Sequence, residues 1–222
     1  SIGVTTLEES VFACCEGLTS VTIPYGVTTI GKDAFYGCYG LQSVEISNSV
    51  TSIGGNASHQ CSSLKSVDIP NSVTDIDPWA FSDCSSLTSV TIGSGVTYVG
   101  IYAFSGCRSL TSLKVHFQNA KYDSRDNCNA IIETDANKLV IGCNNTVIPN
   151  SVTSIDNLAF FRCYGMTSFT IPNSVTSIGG SAFSQCYNLT SVTLGSGVTE
   201  IGGEAFGECR SLKEVYCYAE AV

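Results

Sequence analysis

The stretch Leu18-Thr19-Ser20-Val21-Thr22-Ile23-Pro24-Tyr25-Gly26-Val27-Thr28-Thr29-Ile30-Gly31-Lys32-Asp33-Ala34-Phe35-Tyr36-Gly37-Cys38 decides the fold, because its pattern keeps returning. An apolar phrase of the form L-x-x-V-x-I starts at Leu18, Leu41, Leu64, Leu87 and Leu110, each 23 residues after the last, and resumes at Met166, Leu189 and Leu212. A second apolar pair keeps the same step: Val27/Ile30, Val50/Ile53, Val73/Ile76, Val96/Val99, Val152/Ile155, Val175/Ile178 and Val198/Ile201. An aromatic follows at Phe12, Phe35, Phe81, Phe104, Phe160, Phe183 and Phe206. A cysteine stands three residues beyond that slot at Cys15, Cys38, Cys61, Cys84, Cys107, Cys163, Cys186 and Cys209. Several positions sharing one period identify an internal repeat, and a repeat of this length indicates a solenoid.

Within the unit, Val21 and Ile23 point one way and Thr22 the other, as a strand requires. Pro24 ends that strand because it has no N–H for a continuing ladder. Gly31 and its equivalents Gly54, Gly100, Gly179 and Gly202 read as a turn needing freedom in φ. The segment Asp33–Cys38 is too short for a proper helix and reads as a turn or 3₁₀ coil. One unit cannot bury its own apolar residues. Stacked units build a shared core, with strands laddering at about 4.8 Å.

The unit L-T-S-V-T-I-P-x-x-V-T-x-I-G-x-x-A-F-x-x-C resembles the BspA-type leucine-rich repeat, and Ile171-Pro172-Asn173-Ser174-Val175-Thr176-Ser177-Ile178-Gly179 matches it without a gap. The resemblance covers nearly the whole chain. It implies a secreted or cell-surface protein of bacterial or protozoan type, in a family some of whose members adhere to host matrix proteins or to other microbes. The expected fold is a mostly β repeat solenoid: a right-handed leucine-rich-repeat superhelix of short parallel strands, turns and 3₁₀ segments. It would form one domain over residues 1–222, interrupted by an island at about 116–148.

Composition narrows the function. The 43% apolar content suffices for a sizeable core, while only 13% of residues are charged. A net charge of −9 argues against nucleic acid and anionic membrane surfaces, which attract Lys and Arg. No run of 18 apolar residues occurs, so no segment is expected to span a bilayer. The chain opens Ser1-Ile2-Gly3-Val4 without the basic and apolar regions of a signal peptide, leaving open whether one was removed or never existed. Val4 to Leu7 match the second apolar pair, so the chain starts within a repeat. With no polar cap evident at either end, flanking repeats or another domain are expected.

Two departures from the repeat stand out. Ser58 occupies an aromatic slot, and Phe35 and Phe81 are expected to close over it with help from His59. Between Leu110 and Met166 lie 56 residues, one unit plus 33 extra. There Ala130-Ile131-Ile132 and Leu139-Val140-Ile141 flank a polar run and read as a β-hairpin. The resembling family often carries such an island, with a Tyr122-Asp123-Ser124 lead and an Asn127-Cys128-Asn129 strand. Its polar loop, Gln118 to Asn127, reads either as a recognition feature or as a structural excursion, the latter preferred.

The eight cysteines in one slot point to packing, as reduced thiols stacked in a ladder. Cys14, Cys128, Cys143 and Cys217 lie outside it. Cys128 and Cys143 are equidistant from a hairpin centre at Asp135-Ala136 and form a candidate disulfide. No zinc pair, G-x-S-x-G, Walker loop or H-E-x-x-H occurs, and neither His59 nor His116 sits in a catalytic motif. Glu45 and Asp68 fall one above the other, which reads as a solvated face rather than a carboxylate pair for acid–base work. No enzyme activity, cofactor or metal is expected.

The outward residues of the main strand form a candidate binding face: Thr22, Glu45, Asp68, Thr91, Lys114, Thr170, Thr193 and Tyr216, beside Ser20, Ser43, Ser66, Ser89, Ser112, Ser168, Ser191 and Glu214. This face is hydroxyl-rich and poor in the aromatic and Arg anchors on which tight interfaces depend. The expected role is protein binding or adhesion, with a host matrix or other cell-surface protein as partner. A spacer presenting another domain is the alternative, and a carbohydrate-active enzyme a distant third.

Overall fold

The computed structural model describes residues 3–218, and the chain divides into two compact units: Ser1–Leu110 with Val115–Lys121, and Thr111–Lys114 with Tyr122–Val222. Each is a stretch of β-solenoid. In the first, Thr6–Leu7, Thr29–Ile30, Ser52–Ile53, Asp75–Ile76 and Tyr98–Val99 form one parallel sheet in 23-residue register. The longer strands pair in parallel too, Ser20–Ile23 with Ser43–Ile46 and Ser66–Asp68 with Ser89–Ile92. In the second unit Ser168–Ile171, Ser191–Leu194 and Glu214–Cys217 ladder in parallel, as do Ser154–Ile155, Ser177–Ile178 and Glu200–Ile201. The three-residue 3₁₀ turn Arg125–Asn127 is the sole helical element among the described residues.

Strand alternation places Val67, Val90, Ile92, Val192 and Ile171 in the core. The aromatic slots stack face to face. Phe12 lies 5.6 Å from Phe35, and Phe81 lies 5.6 Å from Phe104. In the second unit Phe160 and Phe183 stand 4.7 Å apart, and Phe183 and Phe206 stand 5.1 Å apart. Ser58 interrupts the rings but not the backbone. Phe35 N–H still donates to Ala57 and Ser58 N–H to Ala80, both at 2.7 Å. Ser58, Phe35 and Phe81 are all buried. His59 has a structural setting: its Nδ1 lies 3.1 Å from the Ser82 carbonyl oxygen, with its ring between Tyr36 and Trp79.

The segment after each short strand is a turn whose donors alternate between neighbours and self. The N–H groups of Asp33, Phe35 and Gly37 donate to the carbonyls of Gly55, Ala57 and His59, while those of Ala34, Tyr36 and Cys38 donate to Gly31, Asp33 and Phe35. This geometry needs two left-handed residues per unit. One slot holds Ser10, Asp33, Asn56, Trp79, Tyr102, Leu158, Ser181 and Glu204, all with φ between 53° and 64°. Gly31, expected to need a permissive φ, is required for another reason. A Cβ there would lie 2.5 Å from the Leu7 carbonyl oxygen, and one at Gly179 would lie 2.4 Å from Asn157 N. Close approach of the neighbouring turn, not conformational freedom, excludes a side chain.

The cysteine slot is a ladder of thiols. Cys61 Sγ donates to the Phe35 carbonyl at 3.2 Å, Cys84 to Ser58 at 3.1 Å, Cys107 to Phe81 at 3.2 Å and Cys186 to Phe160 at 3.1 Å. Cys38 and Cys209 repeat the arrangement with Phe12 and Phe183. Cys163 is half-buried, and Cys15 is exposed.

The island contains the expected hairpin, Ala130–Glu133 with Lys138–Gly142, and adds Tyr122–Asp123 antiparallel to its first strand. Lys138–Gly142 pairs in parallel with Ser154–Ile155, so Leu139 takes the place of a repeat isoleucine above Ile155. Residues 127–129 are not a strand, because Asn127 and Asn129 are left-handed at φ 52° and 53°. Nor do Cys128 and Cys143 form the candidate disulfide; both are free thiols. A bulge shifts the register between Ile131 and Ile132, and Cys143 Sγ meets the Asn129 carbonyl at 3.2 Å instead of facing Cys128. The loop before the hairpin is clamped by Arg125, which binds Asp123, and donates to Asn137 Oδ1 at 2.8 Å. Partial burial works against the Asp123 carboxylate, but hydrogen bonds from Arg125 and Thr134 outweigh it and hold its pKa below the ordinary value.

Candidate binding face

The outward column takes its geometry from the strand ladders. Thr22 stands beside Glu45, with its hydroxyl 3.2 Å from Glu45 Oε2; Asp68 stands beside Thr91; Thr170, Thr193 and Tyr216 form one row. Thr22, Glu45, Asp68, Lys114, Thr170 and Tyr216 are exposed, and Thr91 and Thr193 are half-buried. Glu45 and Asp68 lie on neighbouring strands between which the hydrogen-bonded ladder is interrupted, although Lys65 N–H still reaches the Gln42 carbonyl at 3.2 Å. Like charges directly opposite weaken strand pairing, and the break in the ladder falls at this pair. Lys114 lies on Ser112–Val115, and the Tyr216 hydroxyl donates to Glu214 at 2.8 Å.

Two further features escaped sequence reasoning. In the first unit, rings that occupy two different slots join in one row on the turn side. Tyr36 and His59 are 5.4 Å apart, His59 and Trp79 6.3 Å, and Trp79 and Tyr102 4.1 Å. All four are half-buried. In the second unit Tyr164 stacks on Tyr187 at 5.3 Å, with Arg162 and Arg210 over their rings. The 23-residue spacings of Tyr36/His59, Trp79/Tyr102 and Tyr164/Tyr187 were the available signal. Joining the two slots across the turns required the fold.

Where the strand face of the second unit meets the following turn, a groove of about 760 Å³ opens between Thr170 and Thr193 on one side and Asn173 and Ser196 on the other. Pro172 and Tyr218 bound it lengthwise, with Gly195 between them. A second, smaller groove of about 440 Å³ runs beside Lys138, whose Nζ reaches Glu133 at 3.3 Å and Asp156 at 3.2 Å. Among the described residues no group of three or more His, Cys, Asp or Glu could hold a metal ion. Among the described residues no helix is long and apolar enough to cross a membrane.

Comparison with known proteins places these features in a family. A leucine-rich cell surface protein of Faecalibacterium prausnitzii A2-165 is 25% identical, with a TM-score of 0.50 over 98% of this chain and 84% of its own. A leucine-rich repeat protein of Bacteroides ovatus ATCC 8483 is 26% identical, with a TM-score of 0.63 over 97% of this chain. The present chain spans only 59% of that protein's length. The leucine-rich repeat protein of T. pallidum, 24% identical with a TM-score of 0.55 over 95% of this chain and 72% of its own, shares the fold. No curated protein matches the chain. The family described as BspA type leucine rich repeat region matches residues 5–132 and 130–221 in six copies, and the chain belongs to it.

Proposed function

We propose that the chain is a non-catalytic recognition segment of a cell-surface or secreted protein, binding a host matrix protein or another cell-surface protein through its outward strand columns. One observation carries this reading: the long strands turn their apolar residues inward, burying Val67, Val90, Ile92, Phe169, Ile171 and Val192, and leave Thr22, Glu45, Asp68, Thr170 and Tyr216 exposed at a fixed repeat. Such residues contribute nothing to the core, and a stiff ladder presents them with little entropy left to lose on binding. The cell-surface character of the similar Faecalibacterium protein supports the same location. Modest affinity per contact would be raised by several copies on one surface.

The spacer alternative is favoured by the short hydroxyl side chains of the face, which make poor anchors. Biosensor measurements of the immobilised chain against purified matrix proteins separate the two readings. The recognition reading expects saturable binding that falls by about three- to tenfold when Glu45 and Asp68 are both changed to lysine, mainly through slower association. Absence of saturable binding to every matrix and surface protein tried, by a folded chain, supports the spacer.

A further inference from the structure

We propose that the smaller groove of the second unit receives the guanidinium group of an arginine side chain carried by a protein partner. One side of the groove is the outward row of the short strands. The ladder sets Lys138 beside Ser154, Ser154 beside Ser177 and Ser177 beside Glu200. At about 4.8 Å per strand the row runs for roughly 14 Å. The other side is turn backbone, chiefly at Gly179, Gly180 and Gly202. The volume of about 440 Å³ suits one extended side chain with part of its own backbone.

The open wall comes from a glycine that the fold does not demand. Gly179 and Gly202 are required, because a Cβ on either would lie 2.4 Å from Asn157 N or 2.5 Å from Gly180 N. Gly180 is different: its φ is not left-handed, and a Cβ there would meet nothing nearer than 3.4 Å. The same slot holds Lys32, Pro78 and Ile101 in the first unit and Asn157 one turn back. A side chain at Gly180 is therefore allowed, and its absence leaves the peptide planes of Gly179 and Gly180 bare. The Asn157 carboxamide oxygen fixes this turn by accepting the Gly180 N–H at 2.6 Å. Bare backbone of this kind lets a flat group approach to van der Waals distance.

Charge and donor geometry select the ligand. Lys138 Nζ is shared between Glu133 at 3.3 Å and Asp156 at 3.2 Å, so its charge is already matched. Glu200, at the far end of the row, is exposed and makes no ion pair among the described residues. The carboxylates at and beside the groove thus outnumber its one ammonium, and a cation is drawn to the Glu200 end, away from Lys138. There the Ser177 hydroxyl and the Glu200 carboxylate offer acceptors along one edge. A guanidinium carries five N–H donors and no acceptor, is planar, and sheds water more readily than an ammonium. It can therefore lie on the Gly179–Gly180 backbone while donating to that edge. The groove belongs to the short-strand sheet and the outward columns to the long-strand sheet, so this contact does not depend on the columns.

The test is an NMR titration of the ¹⁵N-labelled chain with acetyl-arginine amide, with the corresponding lysine and citrulline amides in parallel. Citrulline keeps the shape of arginine and lacks its charge. No protein partner is present, so the result stands apart from binding by the outward columns. The expected result is saturable shifts at the Ser177, Gly179 and Gly180 amides with the arginine probe. The lysine probe should bind more weakly, and the citrulline probe at least about threefold more weakly. Glu200→Gln should weaken arginine binding about threefold. Gly180→Leu should abolish the localised shifts by filling the groove, and both variants should keep native spectral dispersion. Glu45→Gln, in the first unit, should leave binding unchanged. Absence of localised shifts with the arginine probe, equal affinity for the lysine or citrulline probe, or undiminished binding in both groove variants would overturn the proposal.

Discussion

A thiol is small, with a weak donor, and the ladder slot uses both properties. Buried in line, Cys38, Cys61, Cys84, Cys107, Cys186 and Cys209 each give their S–H to a carbonyl of the preceding turn, and burial pushes Cys61 up to about 12. Off the ladder, burial pushes Cys128 up to about 11. Ellman's reagent is therefore expected to titrate the exposed Cys14, Cys15 and Cys217 rapidly, Cys163 slowly, and the rest only in denaturant. Because the folded values of Cys61 and Cys128 lie above the ordinary 9.0, the stabilisation from these two thiols is complete below that pH and lost as pH rises toward the folded values. A urea midpoint that falls steadily above about pH 9 is the expected signature, and a flat profile would contradict it. The slot itself was legible from its spacing, but its carbonyl partner was not, because that group lies 26 residues back, off the repeat. The left-handed slot was equally hidden, since Trp79 and Leu158 occupy it as readily as Asn56. Exposed Glu204 pays for its φ of 56° with strain. Glu204→Asn, the residue type already at Asn56, should raise stability by about 0.5–1 kcal/mol in chemical denaturation.

At the scale of elements, the hairpin was readable from two apolar runs flanking a polar tip, yet its pairing was not. One bulge near Val140 moves Cys143 from Cys128 to Asn129, a shift that side-chain spacing cannot reveal. The hairpin is also part of the core, with Ala130, Ile132 and Leu139 clustering with Val152, Ile155 and Phe160. Gly142 provides a sharp test of that docking, because a Cβ there would lie 1.9 Å from Phe160 Cε1. Gly142→Ala should cost about 1–3 kcal/mol and increase hydrogen exchange across Lys138–Gly142. Unchanged exchange would detach the hairpin from the aromatic stack. The strand columns were legible through their two-residue alternation. The aromatic row and the groove were not, since each combines residues from different slots that only turn geometry brings together.

For the whole molecule, we propose that the two units make one repeat domain over residues 1–222, as the shared period suggests. Scanning calorimetry should then show a single transition whose calorimetric and van't Hoff enthalpies agree, whereas two separate transitions would assign each unit its own stability. Repeat proteins gain stability from nearest-neighbour interfaces, which is the claim beneath every other one here. A double-mutant cycle in the second unit measures it directly, using leucine at Phe160, Phe183 and Phe206. Phe160 and Phe183, stacked at 4.7 Å, should couple by at least about 0.5 kcal/mol, and Phe183 with Phe206, at 5.1 Å, should do likewise. Phe160 with Phe206, two turns apart, should be additive. Equal coupling in all three pairs, or additivity in all three, would contradict a core built turn upon turn.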